Sequence, residues 1–222
     1  MSKENIKNCG KSIRSKLLNI AKEENVFYQT ILTRYFQERL LYRISQTRYR
    51  LNFYLKGGAL MYAYDRFAAR PTLDIDFLGN NISNDGSAII AAFKEICSVP
   101  CEEDGVAFDV ENITAQNITE FKDYHGVRLS IPVSMDTIAQ VMTMDIGFGD
   151  VVTPKPIDLD YPILLEHLPS ANILAYSIET VIAEKLHAVV DLADQSSRMK
   201  DYYDLYTILH KEQYDSSILQ EA

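Results

Sequence analysis

Residues 52–78, NFYLKGGALMYAYDRFAARPTLDIDFL, carry the pattern that decides the fold. Asn52-Phe53-Tyr54-Leu55 is short, aromatic and strand-like, and Lys56-Gly57-Gly58 ends it. Ala59–Phe67 predicts a helix, and Pro71 stops any continuation. Leu73–Leu78 then alternates apolar and acidic residues as a half-buried strand does, with Leu73, Ile75 and Phe77 on the face that buries. The unit is strand, glycine turn, helix, strand, and the second strand brings Asp74 and Asp76 back towards the glycine turn.

Upstream, residues 11–47 place Leu32, Tyr35, Phe36, Leu40 and Ile44 at helical spacing, with a break near Glu24-Asn25. Downstream, Gly79-Asn80-Asn81 and Asn84-Asp85-Gly86 are turn signals around a helix at Ser87–Cys97. Val106–Ile113, Gly126–Ser134 and Gln140–Phe148 read as strands. The stretch containing Pro154, Pro156, Pro162 and Pro169 predicts a long crossing loop or an edge strand. Ser177 is placed to cap a helix running to about Leu192, and Arg198–His210 makes another. The expected class is α+β, a small mixed sheet flanked by helices, with helical sections at both ends. The chain divides into a basic helical segment (1–50), a core (51–170) and a C-terminal helical section (171–222) packed as one unit with the core.

The chain has 222 residues, 47% hydrophobic and 24% charged, which is globular composition with enough length for a real core. No apolar run approaches the roughly 20 residues that span a bilayer. The polar, basic start MSKENIKNCGKSIRSK lacks the apolar stretch of a secretory signal. Cys9, Cys97 and Cys101 form neither a CxxC pair nor an even framework and read as reduced thiols of a cytoplasmic protein. His125, His167, His187 and His210 offer no zinc spacing. The net charge of −9 hides an asymmetry, because residues 1–50 hold eleven Lys/Arg against four Glu. Arg39, Arg43 and Arg50, with Tyr35, Tyr42 and Tyr49 among them, would suit an RNA acceptor; otherwise the segment is a solvated helical surface.

Asp74 and Asp76, two apart on a strand, share a face. Two carboxylates so placed repel, and Mg²⁺ is a natural neutraliser because it takes hard oxygen ligands; the plain alternative is the wet face of a strand. Asp145 interrupts the run Val141-Met142-Thr143-Met144-Asp145-Ile146-Gly147-Phe148, so it needs a metal or an ion-pair partner. Three carboxylates on adjacent strands match a two-metal phosphoryl-transfer site. Lys56-Gly57-Gly58 before a helix allows phosphate to approach backbone amides, although Gly-Gly also serves ordinary turns. Lys185, mid-helix, could neutralise triphosphate charge or pair with Asp201 or Asp204 to lock two helices.

Taken in order, Gly57-Gly58-Ala59-Leu60, Arg70-x-Thr72-x-Asp74-Ile75-Asp76-Phe77, Ala183-x-Lys185-Leu186-x-Ala188 and Arg198-x-Lys200-Asp201-x-x-Asp204-Leu205 resemble the AbiEii/AbiGii toxin family. These MenT-like nucleotidyltransferases belong to the DNA-polymerase-β-like superfamily. The resemblance covers about residues 52–210 and implies a nucleotidyltransferase fold. It implies transfer of a nucleoside monophosphate from an NTP to an acceptor hydroxyl, with Mg²⁺ (or Mn²⁺) at Asp74, Asp76 and Asp145. Lys56, Gly57, Gly58, Thr72, Lys185, Lys200 and Asp201 would hold the nucleotide, with Lys185 and Asp204 also in the catalytic group. The family further implies a type IV toxin–antitoxin or phage-defence role, an RNA acceptor such as the tRNA 3′ end, and a winged-helix antitoxin encoded nearby. A small molecule of the aminoglycoside kind, a protein acceptor, or a degenerate nucleotide-binding module are the alternatives. The first block reads Lys-Gly-Gly-Ala where the wider superfamily has Gly-Ser, and the last block falls close to residue 222, where many relatives continue into a longer helical lobe.

Overall fold

Strand Phe53–Lys56 (β1) is interior to the sheet, with Phe53 and Leu55 fully covered and a hydrogen-bonded neighbour on each side. The computed structural model describes residues 3–119, 125–191, 199–211 and 214–222. Helices Lys3–Glu23 (α1) and Tyr28–Ser45 (α2) precede β1, and helix Gly57–Asp65 (α3) follows it directly. Then come strand Ile75–Gly79 (β2), helix Gly86–Cys97 (α4), and strands Ala107–Phe108 (β3), Thr114–Thr119 (β4), His125–Met135 (β5) and Ile138–Phe148 (β6). Strands Ile157–Tyr161 (β7) and Ala171–Ala175 (β8) lead to helices Ile178–Asp191 (α5), Met199–Lys211 (α6) and Ser216–Glu221 (α7).

The strands form one mixed sheet in the order β3-β5-β6-β2-β1-β8-β7, with β4 also paired to β5. β1 runs antiparallel to β2 and parallel to β8, while β2 runs parallel to β6. The β5–β6 pair is a hairpin closed at Asp136-Thr137, where Asp136 takes a positive φ of 53°. One hydrophobic cluster runs from Ile13 on α1 to Ile208 on α6 and includes both strand pairs. No helix among the described residues is long and apolar enough to cross a membrane.

The central α3–β2 unit and the β5–β6 hairpin lie where the sequence pattern puts them. Two expectations change. The strand expected at Leu73–Leu78 begins only at Ile75, and Leu73 is 72% exposed rather than buried with Ile75 and Phe77. The strand expected at Val106–Ile113 is reduced to Ala107–Phe108, a short turn of helix at Val110–Asn112 and a separate strand β4. The proline-rich stretch holds β7, the edge strand expected there, while β8, just past Pro169, sits between β1 and β7.

The largest correction concerns α2. Apolar residues lie on all its sides, so the helix enters the core with its charges. Arg39 is fully buried, donating through Nη2 to the Pro169 carbonyl (2.9 Å) and pairing with Glu38 (2.6 Å). Burial pushes the Glu38 carboxyl up to about 7. Arg43, also buried, donates to both oxygens of Asp104 (2.7 and 3.3 Å), and Tyr35 donates its hydroxyl to the Asp104 carbonyl (2.8 Å). Arg50 donates to the Asn172 carbonyl (2.9 Å) and pairs with Asp158, tying the turn before β1 to β7 and β8. Arg39 and Arg43 therefore cannot meet RNA, and Arg50 is already engaged. Among the described side chains, the solvated cations of the first fifty residues are Lys11, Arg14, Lys16 and Lys22 on α1, together with Arg48.

Candidate active site

The α3–β2 unit is packed so closely that its glycines are obligatory. Gly57 has φ +66°, and a Cβ on it would lie 2.0 Å from Asp76 Oδ2 and 2.8 Å from Asp76 Cβ. A Cβ on Gly58 would lie 2.7 Å from the Cβ of Thr72. The glycines thus admit this chain's own Asp76 and Thr72 against the start of α3. Thr72 donates its hydroxyl to the Asp74 carbonyl (3.2 Å), and Gln37 on α2 donates to the carbonyls of Leu73 and Asp74 (3.3 and 3.4 Å). Arg34 on α2 donates to the Ala69 carbonyl (2.9 Å). The buried polar side of α2 therefore fixes the link that delivers Asp74 and Asp76.

Strand register then lines up four charged residues across four neighbouring strands. Lys56 on β1 pairs with Asp76 on β2, Asp76 with Asp145 on β6, and Asp145 with Arg128 on β5. Registered neighbours point to one face of a sheet, so two carboxylates lie between two cations. Arg128 donates to both oxygens of Asp145 (Nε–Oδ1 2.7 Å, Nη2–Oδ2 2.6 Å). The Lys56 ammonium is shared with Glu184 of α5 and with Asp150 (3.4 Å). Asp76 is pushed up to about 6, first by burial and then by Asp145, Glu184 and Asp74, against the opposing pull of Lys56.

The helices α5 and α6 close the other side. Lys185 donates to Asp201 Oδ1 (3.1 Å) and Asp204 Oδ2 (2.7 Å), with all three side chains buried. Arg70 grips Asp204 with both arms of its guanidinium (2.9 Å each). Asp204 is thereby the joint between the link before β2 and the two helices.

A cleft of about 380 Å³ results. It gathers ten of the residues singled out in the sequence: Lys56, Gly57, Gly58, Thr72, Asp74, Asp76, Asp145, Lys185, Lys200 and Asp201. Asp204 lies beneath the lining, and Arg198 of the last block falls outside the described residues. Sequence reasoning assigned nothing to Arg70, Arg128, Asp150 and Glu184, which complete the charge arrangement. Arg128 had a legible signal, since counting back from the two-residue turn Asp136-Thr137 puts it opposite Asp145.

Residues 39–222 match the family described as nucleotidyl transferase AbiEii toxin, type IV TA system. The chain belongs to the AbiEii nucleotidyltransferase toxin family. Membership makes it a nucleotidyltransferase by family, with an NTP as the substrate class and an antitoxin as the implied partner. No curated protein matches it. Two crystal structures from Helicobacter pylori are similar in fold. A candidate nucleotidyltransferase has a TM-score of 0.54 at 17% identity, over 84% of this chain and 70% of its own. JHP933 has a TM-score of 0.50 at 18% identity, over 78% of this chain and 62% of its own. The AbiEii match begins inside α2, so it takes in the sheet, the cleft and α5–α7 but not α1.

Proposed function

We propose that this AbiEii-family chain moves a nucleoside monophosphate from an NTP to the terminal hydroxyl of an RNA, such as the tRNA 3′ end, as the toxin of a pair with a winged-helix antitoxin. The observation that carries the reading is the row Lys56, Asp76, Asp145, Arg128 on the floor of a cleft roofed by Lys185 and Lys200. In the reaction the acceptor oxygen bonds to the α-phosphorus, the bond from phosphorus to the pyrophosphate oxygen breaks, and the hydroxyl proton passes to a carboxylate of the row. Lys56 and Lys200 neutralise the phosphates, while Gly57 and Gly58 let the start of α3 approach them.

Divalent metal fits these residues. Asp74 and Asp76 offer hard oxygens at the cleft, and Asp76, held above the usual carboxylate range first by burial, also faces the negative charge of Asp145, Glu184 and Asp74. Among the described residues no three His, Cys, Asp or Glu already converge as a metal cage, because Asp145 is turned to Arg128. Asp74 and Asp76, joined by Asp145, would hold Mg²⁺ or Mn²⁺, which would polarise the phosphate and lower the cost of ionising the acceptor hydroxyl.

The acceptor surface we assign differs from the first expectation. On α6, Asp201 and Asp204 turn inward, which leaves Lys200, Tyr202, Tyr203 and Tyr206 on the outer face with no exposed carboxylate among residues 199–211. Tyrosines beside a cation are a stacking platform for unpaired bases, and this one adjoins the cleft through Lys200. The test is incubation with each α-labelled NTP and total RNA, aminoglycosides or the chain itself as acceptors, with and without EDTA. Metal-dependent label in RNA, lost in Asp76→Asn and reduced in Tyr202→Ser/Tyr206→Ser, is expected. Label only in a small molecule or in protein replaces the RNA reading. No label and no NTP binding leaves a nucleotidyltransferase fold without the activity.

A further inference from the structure

The two carboxylates that face each other across β2 and β6 are not in the same state. Asp76 feels Lys56 only in part, since that ammonium also serves Glu184 and Asp150. Asp145 has both oxygens taken by one guanidinium at 2.7 and 2.6 Å. The fork uses the in-plane lone pairs that a divalent ion would need, and it sets a positive charge beside the position of such an ion.

We propose that Arg128 is a latch: it withholds Asp145 from divalent metal until the phosphates of a nucleotide draw the guanidinium away. This rests on the reading of the cleft as a metal–NTP site. The register places Arg128 directly opposite Asp145 on the antiparallel neighbour, so the contact follows from the hairpin itself. The Arg128 side chain is 44% exposed and lines the same cleft as Lys56, Gly57 and Gly58, so it can turn without unpacking the core. Gly126 and Gly147, each two residues along its strand from Arg128 and Asp145 and on the same face, leave that part of the floor without side chains. A phosphate offers the fork the same bidentate geometry with more charge, so it competes where a single carboxylate cannot. Metal alone therefore meets two open carboxylates and a closed third, while metal and nucleotide together complete the site. The resting site admits metal mainly in company with its substrate.

The probe is Mn²⁺, titrated into the 222-residue chain and followed by electron paramagnetic resonance, without nucleotide and then with each α,β-methylene NTP analogue. Without nucleotide, Arg128→Gln should bind Mn²⁺ more tightly by about tenfold, the effect of removing one charge a few ångström away in a half-exposed site. Asp145→Asn added to Arg128→Gln should abolish that gain. With analogue present the order should reverse, Arg128→Gln binding the nucleotide more weakly than wild type. Arg128→Lys keeps the charge and loses the fork, and should fall between the two; it carries the test should Arg128→Gln not fold. Equal Mn²⁺ affinity in wild type and the folded variants, or a gain that survives Asp145→Asn, overturns the latch while leaving the site. Wild type that binds neither Mn²⁺ nor Mn²⁺–analogue overturns both.

Discussion

Replacing Gly57 with alanine puts a methyl group where Asp76 already is. Two separate terms follow from the structure. The φ of +66° costs an L-residue about 1–2 kcal/mol. The added carbon lies 2.0 Å from Asp76 Oδ2, which a rotation could relieve, and 2.8 Å from Asp76 Cβ, which no rotation relieves. The backbone of α3 or β2 must shift, at about 1–3 kcal/mol for such overpacking. The sum is about 2–5 kcal/mol, or a melting temperature lower by roughly 5–15 °C for a chain of this length. Gly149→Ala isolates the first term, because Gly149 has φ +93° and its new Cβ would meet nothing within 4 Å. Thermal melts of both variants, paired with Mn²⁺–NTP-analogue titration, separate strain from displacement. Gly57→Ala should melt lower than Gly149→Ala and lose most nucleotide affinity, while Gly149→Ala loses stability with much less effect on binding. Equal melts and equal affinities would refute the claim that Gly57 is a glycine because of Asp76.

Asp76 also makes stability depend on pH. Its carboxyl is raised from 3.8 to about 6 in the folded chain, so between those values the unfolded chain has lost a proton that the folded chain keeps. Stability from this group is intact below about pH 4, falls as pH rises, and is lost by about 3 kcal/mol above 6. In EDTA, Asp76→Asn should melt higher than wild type at pH 7.5, and the gap should close as pH falls to 4; a constant gap would show that the carboxyl titrates normally. Arg43→Ala leaves Asp104 buried without its guanidinium and should destabilise by about 3–5 kcal/mol in urea unfolding, whatever RNA is present. An unchanged unfolding midpoint with weakened RNA binding would restore Arg43 to the surface. Lys185→Met should lower stability by about 3 kcal/mol, because it separates Asp201 and Asp204 from the cation between them. A lysine that serves only phosphate would leave the melt unmoved.

What was legible in the sequence was local. The step from strand to Gly-Gly to helix to Asp-x-Asp needs only neighbours along the chain, and it fixed the centre of the sheet and most of the cleft. Asp145 stood out because nothing near it in sequence could neutralise it. The arginines of α2 misled for the same reason: their partners are remote, Asp104 lying 61 residues from Arg43 and the Pro169 carbonyl 130 from Arg39. A helix with cations on its surface and a helix that takes them inside, each with its own acceptor, have the same charge pattern. β8 was hidden behind the prolines that precede it, and its place beside β1 depends on pairing across more than a hundred residues. The joint at Asp204 combines both cases: helical spacing puts Asp201 and Asp204 on one face, towards Lys185 of the neighbouring helix, while Arg70 arrives from 134 residues away.

The position of β8 has a bearing on the order in which the chain can fold. Until residues 171–175 have emerged from the ribosome, β1 has β2 on one side and an open edge on the other. The residues that roof the cleft, Lys185 and Lys200, follow β8 in the chain and are positioned by the helices it leads into. A nascent chain that already displays Asp74, Asp76 and Asp145 therefore has no finished pocket in which to use them. The cleft is thus assembled in two stages, its floor from strands that precede β8 and its roof from the helices that follow it.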